Sequence, residues 1–275
     1  MRITAQPAIV LHARRWRETS LLVELFTRDH GRIGVIARGT NGPKRQPLRA
    51  ALQPLQSIRL DYLQRGELAT LVQAEATDSL PRLAGDGLLA ALYLAELTLR
   101  LLPREDAAVS LFHRFGAALR TLAGPFDSAS SLAWILRRYE RDLLDALGYA
   151  LLLDVDVDGI QIDPPARYTI DPEHGPRRDR NAGQGRISGA ALLALASDTQ
   201  PADELLREQR IALRAVIAFH LGARGLRSWG LMGEFARLLT PSNRAVGSPG
   251  LIVETDYRAI ATVAAQIDPL AVDAS

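Results

Sequence analysis

The apolar residues of this chain change their period once, and that change limits the folds open to it. Up to about residue 80 they alternate with polar residues in short runs; from Leu83 they recur every three or four positions. Alternation puts successive side chains on opposite faces of a strand, and the longer step lines one stripe of a helix. A chain divided in this way is α+β and multidomain, strands first and helices afterwards. The strands expected are Ala8–His12, Ser20–Thr27, Gly31–Arg38, Ser57–Leu63 and Glu67–Ala74. Arg28–Gly31 offers a hairpin connection in which Gly31 supplies positive φ. Five short antiparallel strands suit a small closed barrel, and the OB-fold is the commonest five-stranded one. Gly39–Pro47 is too rich in Gly and Pro to continue a strand and is expected as an exposed loop.

The helical part begins with Leu88, Leu92, Ala95 and Leu99 on one face, ending near Pro103. Ala107–Ala123 follows, stopped by Gly124 and Pro125, and then Ser130–Leu147 with Gly148 as its C-cap. Ser188–Ala196, Pro201–Gly222 and Gly230–Leu239 are the later helices expected. Between Leu152 and Ile187 four prolines and several Asp and Gly residues read as loop. The resulting plan is an OB-fold barrel over 1–80, a mainly α-helical domain over 84–240 with an irregular insertion at 151–187, and a weakly ordered tail at 241–275. The boundary falls near Asp78–Gly87. No internal repeat is visible.

Charge is distributed unevenly along this plan. Eleven basic residues lie between Met1 and Leu60, against Glu18, Glu24 and Asp29 alone. Residues 1–80 carry a net charge of +5 and the remainder −3, within a total of +2. A cationic surplus on a small β-domain suits binding to a phosphate backbone. The candidate DNA-binding residues are Arg14, Arg15, Arg17, Arg38, Lys44, Arg45 and Arg49. The last four flank or sit on the Gly- and Pro-rich loop, which can close over a strand. The first three surround Trp16, which is either a platform for a stacked base or a core residue. The competing reading is that these side chains only solvate the surface of a small barrel. Lys44 is the one lysine in the chain, so nearly every cation is a guanidinium able to grip phosphate with two hydrogen bonds.

Other chemistry finds little support. Cysteine is absent, which excludes disulfides and thiolate zinc sites and is compatible with the cytosol. The N-terminus lacks the apolar stretch of a signal peptide, and no run is long enough to span a membrane. Asp154, Asp156 and Asp158 resemble the start of a calcium loop, but position twelve is Pro165 where a bidentate Glu is required. Gly183–Gly189 has the wrong spacing for a nucleotide fingerprint. The five histidines are isolated, and there is no nucleophile elbow or HExxH motif. The chain therefore reads as a non-enzyme without cofactor or metal. On the expected third helix, Arg137 and Arg138 stand beside apolar residues, where a guanidinium can receive the carboxylate of an acidic, apolar peptide tail.

Several segments, in order, resemble the RecO family: AIVL (8–11), Trp16 to Thr19, LFTRDHGRIGVIARG (25–39), LQPL (52–55), GELATLVQAE (66–75), LYLAELTLRLLP (92–103), RRYERDLLDALGY (137–149) and, more loosely, LRSWGLMGEFARLL (226–239). The resemblance implies an N-terminal OB-fold and a helical C-terminal domain. It implies a recombination and repair mediator that binds single- and double-stranded DNA, anneals complementary strands and loads recombinase together with RecR. It further implies capture of the C-terminal tail of single-strand DNA-binding protein, with Arg137 or Arg138 as the candidate contact, and a cytoplasmic, nucleoid-associated location. Many members carry a four-cysteine zinc motif after the LGY segment; here LLLDVDVDGIQID stands in its place, so the insertion has to be held by packing and hydrogen bonds. Apart from the resemblance, an OB-fold adapter or an RNA-binding protein without annealing activity fits the same residues.

Overall fold

The computed structural model describes residues 1–77, 80–126, 128–179 and 186–229. Five strands, β1 (Arg2–Trp16), β2 (Ser20–Thr27), β3 (Gly31–Ala37), β4 (Ser57–Leu63) and β5 (Leu68–Ala76), close into a barrel in the order β1-β2-β3-β5-β4. Only β3 and β5 run parallel. With helix α1 (Gln46–Ala51) between β3 and β4, this is the OB-fold arrangement.

β1 is much longer than its apolar stretch suggests. Its first half pairs with β4 and its second half with β2. The register shifts between Ile3 and Gln6 and again between Val10 and His12, and Ala5 takes a φ of 53°. Such irregularities bend a strand, which lets one strand serve both sides of the closure. The interior is filled by alternating side chains, including Ala8, Val10, Val23, Leu25, Ile33, Val35, Ile58, Leu60 and Tyr62. The expected loop at Gly39–Pro47 is shorter than anticipated. Pro43–Arg45 forms a 3-10 turn and α1 begins at Gln46. Pro47 sits in the first turn of α1, where no hydrogen-bonding N–H is needed, so it starts a helix here instead of prolonging a loop. Ala51 and the following Leu52 drop into the barrel core.

The helices are α2 (Gly85–Leu101), α3 (Val109–Leu122), α4 (Ala129–Ala146), α5 (Gly189–Ala196) and α6 (Asp203–Leu221). α2 is buried at every residue from Ala90 to Leu99, as expected of a helix apolar on all sides, and α3, α4, α6 and β1 pack around it. Ser128 caps α4 by accepting from the Ser131 amide at 3.2 Å. At the far end of the described chain, the buried Glu96 carboxylate accepts from the amides of Arg227 and Ser228 at 2.8 and 2.9 Å. The helix expected at Gly230–Leu239 and the tail at 241–275 lie outside the described residues.

The barrel has its own interior, and four of its residues join the helical core instead. Ile9, Leu11, Phe26 and Leu55 belong to the helical cluster, and Phe26 stands edge-on to Phe112 with ring centroids 5.5 Å apart. Gly31 has a φ of 62°, and a Cβ there would lie 1.8 Å from the Asp106 carbonyl oxygen, so only glycine lets the β2–β3 hairpin approach. Arg32 donates to the Leu102 carbonyl at 2.7 Å, and the Glu105 amide donates to the Arg32 carbonyl at 2.9 Å. Glu24, fully buried, is ion-paired with both Arg32 and Arg104.

The insertion is not purely loop. β6 (Arg167–Asp171), β7 (Gly175–Arg178) and β8 (Ile187–Ser188) form a small sheet in the order β7-β6-β8. Its strands are short and carry Arg, Pro and Asp, which hid their periodicity. Tyr168 is fully buried and its hydroxyl accepts from the Asp163 amide at 2.9 Å. Asp156 is buried as well, and its carboxylate accepts from the amides of Asp158 and Ile160 at 3.0 and 2.9 Å. The acidic run thus serves as a turn acceptor. Leu153, Ile162 and Ile187 pack into the helical core. The stretch has no thiolate to offer a zinc ion.

Candidate nucleic-acid interface

The candidate cations of the barrel gather at one end. β1 delivers Arg14, Arg15 and Trp16 to the β1–β2 hairpin, whose turn holds Arg17 at a φ of 56°. β3 ends next to that hairpin, with Leu21 opposite Ala37, and the chain continues into Arg38. Three hydrogen bonds then tie the two loops together. The Thr40 amide and hydroxyl both donate to the Thr19 carbonyl, at 2.8 and 3.2 Å, and the Asn41 side chain donates to the Glu18 carbonyl at 2.7 Å. Thr40 is buried by this contact. Lys44 and Arg45 follow in the 3-10 turn, and Arg49 lies half-buried on α1.

Arg15, Arg17, Arg38, Lys44 and Arg45 are exposed. Among the described residues, none of these five, nor Arg49, takes part in an ion pair. Arg14 lies over the Trp16 ring, its guanidinium carbon 5.4 Å from the ring centroid. Glu18 is the one acid in the turn of the hairpin, and no acid occurs between Asp29 and Asp61. The opposite end of the barrel differs. There Arg28 is paired with Asp29, Arg2 with Asp61, and Arg32 with Glu24. Exposed cations without an ion pair are therefore densest on the rim formed by the β1–β2 turn, the β3–α1 loop and α1, with Arg59 and Arg65 standing apart on the barrel. Thr19, Thr40 and Asn41, which assemble that rim, were not singled out from the sequence; a Thr-Asn pair directly after a glycine was the only hint.

Arg137 and Arg138, the alternative candidates for a peptide contact, stand in different surroundings. Arg137 is buried on α4 and paired with Glu140, one turn further along. The same Glu140 oxygen accepts from the Tyr93 hydroxyl at 2.6 Å. Burial pushes the Glu140 carboxyl above the usual carboxylate range, although Arg137 and the Tyr93 hydroxyl pull it down. The apolar spacing of α4 turns Arg137 inward, where it cannot meet a peptide. Arg138, one residue on, is half-exposed and faces out. It makes a two-pronged contact with Asp198 at 2.8 and 2.6 Å. It borders a cleft of about 700 Å³ in which Arg114 and Arg141 face Asp142, Asp145, Asp154 and Asp198, and a smaller recess lined by Ala117, Ala118, Ile135 and Tyr139.

Among the described residues, no group of three or more His, Cys, Asp or Glu side chains is placed to hold a metal ion, and no described helix is long and apolar enough to cross a membrane.

The chain matches two family profiles in succession, "Recombination protein O N terminal" over residues 1–80 and "Recombination protein O C terminal" over residues 82–230. It is 51% identical over 242 residues to the DNA repair protein RecO of Xanthomonas oryzae pv. oryzae, covering 86% of this chain and 99% of that protein. The RecO proteins of Xanthomonas campestris pv. campestris, at 51% identity, and Stenotrophomonas maltophilia, at 50%, are covered to the same extent. With both regions matched in order and half of the aligned residues identical, the chain belongs to the RecO family.

Proposed function

We propose that this protein acts in DNA repair and recombination as a non-enzymatic mediator that holds DNA on the rim of its barrel. It binds single- and double-stranded DNA there, brings complementary strands together, and helps load recombinase onto DNA coated with single-strand DNA-binding protein, in concert with RecR. The observation that carries this reading is the cluster of exposed cations at one end of the barrel, none of them ion-paired among the described residues, whereas Arg2, Arg28 and Arg32 elsewhere on it each hold a carboxylate. Guanidiniums without a carboxylate partner are available to replace the counterions of a phosphate backbone. Neutralising phosphates on two strands at once lowers their mutual repulsion, which is the electrostatic obstacle to annealing. The curated relatives named as DNA repair proteins support the wider role.

Arg138 supports a second, smaller element of the proposal. It stands between an apolar recess and a cleft of mixed charge, and its outward-facing guanidinium suits the terminal carboxylate of an acidic peptide, such as the tail of single-strand DNA-binding protein. That tail would have to displace Asp198 from Arg138.

The test is a strand-annealing assay with complementary labelled oligonucleotides. The variant carrying Arg38→Glu, Lys44→Glu, Arg45→Glu and Arg49→Glu is expected to lose annealing and to bind single strands roughly 1000-fold more weakly near physiological salt, with an unchanged circular dichroism spectrum. Normal annealing by a folded variant removes the rim from the mechanism. Competition between single-stranded DNA and RNA of equal length separates this reading from that of an RNA-binding OB protein.

A further inference from the structure

Three tryptophans occur in the chain, and one of them is placed unlike the others. Trp134 is buried in the helical core, and Trp229 packs against that core with the Arg214 guanidinium 4.4 Å from its ring centroid. Trp16 belongs to neither hydrophobic cluster. The reason is register. Ala13, Val23 and Val35 are aligned across β1, β2 and β3, and all three pack inside the barrel. Side chains alternate along a strand, so Arg14 and its aligned neighbours Leu22 and Ile36 lie on the outer face. Trp16, two residues beyond Arg14, is on that outer face too. Its cross-strand partner is Ser20, too small to cover an indole. The ring is left partly exposed at the rim, against the guanidinium of Arg14 and flanked in sequence by Arg15 and Arg17.

We propose that Trp16 is a stacking platform for an unpaired base, and that it gives the cationic rim a preference for single strands over duplex. The proposal rests on the reading of the rim as the DNA site and deepens it. Cations alone cannot make this distinction, since both forms present phosphates. A flat aromatic ring can, because only a base released from its pair has a face to offer. The Arg14 guanidinium holds the indole through a cation–π contact, so little freedom has to be lost when the base arrives. Base-face contact is indifferent to sequence, as annealing of arbitrary complements demands.

The experiment measures binding of the full chain to three labelled ligands of equal length: a single strand, the same strand with abasic sites throughout, and a duplex. For the wild type, the abasic strand is expected to bind about 5- to 150-fold more weakly than the normal strand, the range of one stacked base. Trp16→Ala should remove that difference while leaving duplex affinity and the salt dependence unchanged, and Trp16→Phe should restore most of it. Equal wild-type affinity for normal and abasic strands overturns the proposal without requiring any variant. Loss of single-strand and duplex affinity together in Trp16→Ala also overturns it, since that is the mark of a residue that only props up the rim. If the wild type binds none of the three in a salt-dependent way, the DNA site itself is wrong and the platform falls with it.

Discussion

Arginines on the barrel rim and arginines on α4 are the same chemical group in opposite surroundings. Arg15, Arg17, Arg38 and Arg45 are exposed and unpaired among the described residues, whereas Arg137, Arg138 and Arg141 each hold a carboxylate. The pattern extends beyond α4, to Arg114 with Asp142, Arg167 with Glu208 and Arg178 with Asp163. In these pairs positive charge is answered within the fold. On the rim it is left for a ligand. Charge counts locate a polyanion site only after internal pairs are subtracted.

The sharpest way to break the comparison is to delete one arginine from each class. Arg137→Ala strands the buried Glu140 carboxylate and is expected to cost about 3–5 kcal/mol of stability by urea unfolding, with DNA affinity unchanged wherever the variant is folded. The next effect is its dependence on pH. The Glu140 carboxyl is raised on folding by burial, from an ordinary value of 4.5. A group raised in this way holds its proton more tightly in the folded chain. Its contribution is full below the unfolded value and is lost as pH rises through the folded one. Removing Arg137 raises it further. The deficit of Arg137→Ala against the wild type should therefore shrink when unfolding is measured near pH 5 instead of near pH 8. A deficit that grows on acidification would show that Glu140 is not the stranded group.

How much of this was legible in the sequence differs between the regions. The apolar run Ser20–Thr27 and the alternation of Ser57–Leu63 marked β2 and β4 to the residue, each bounded by turn residues. β1 was cut to its apolar centre, since two register shifts and a run of arginines interrupt its period. α1 was hidden behind Pro47, and the insertion sheet behind its short polar strands. The cluster of cations was visible as composition, and the structure adds the Thr19–Thr40 contact that assembles it. What no local pattern could supply was the fate of neighbouring arginines. Arg137 and Arg138 are adjacent in sequence, yet a rotation of about 100° per helical residue sends one into the core and the other to the surface.

Smaller effects sharpen the same contrast. Asn41→Ala removes one tie between the loops of the rim and should cost about 1 kcal/mol while weakening single-strand binding about 3-fold, measured by anisotropy. Arg138→Ala breaks an exposed pair and should change stability by less than about 1 kcal/mol, while lowering affinity for an acidic tail peptide measured by calorimetry. Unchanged peptide affinity would remove Arg138 from the partner site. Arg45→Ala should leave the stability from urea unfolding within about 0.5 kcal/mol of the wild type, because the side chain is exposed and holds no ion pair among the described residues.

The central claim is that the rim's unpaired cations bind a phosphate backbone. The most direct test is the slope of log affinity against log salt for a single-stranded oligonucleotide, compared between the wild type and the variant with Arg38, Lys44, Arg45 and Arg49 all changed to alanine. Each phosphate neutralised on a single strand contributes about −0.7 to that slope, so the variant's should be shallower by about 3. A wild-type slope near zero, or equal slopes in the two proteins, would contradict the account.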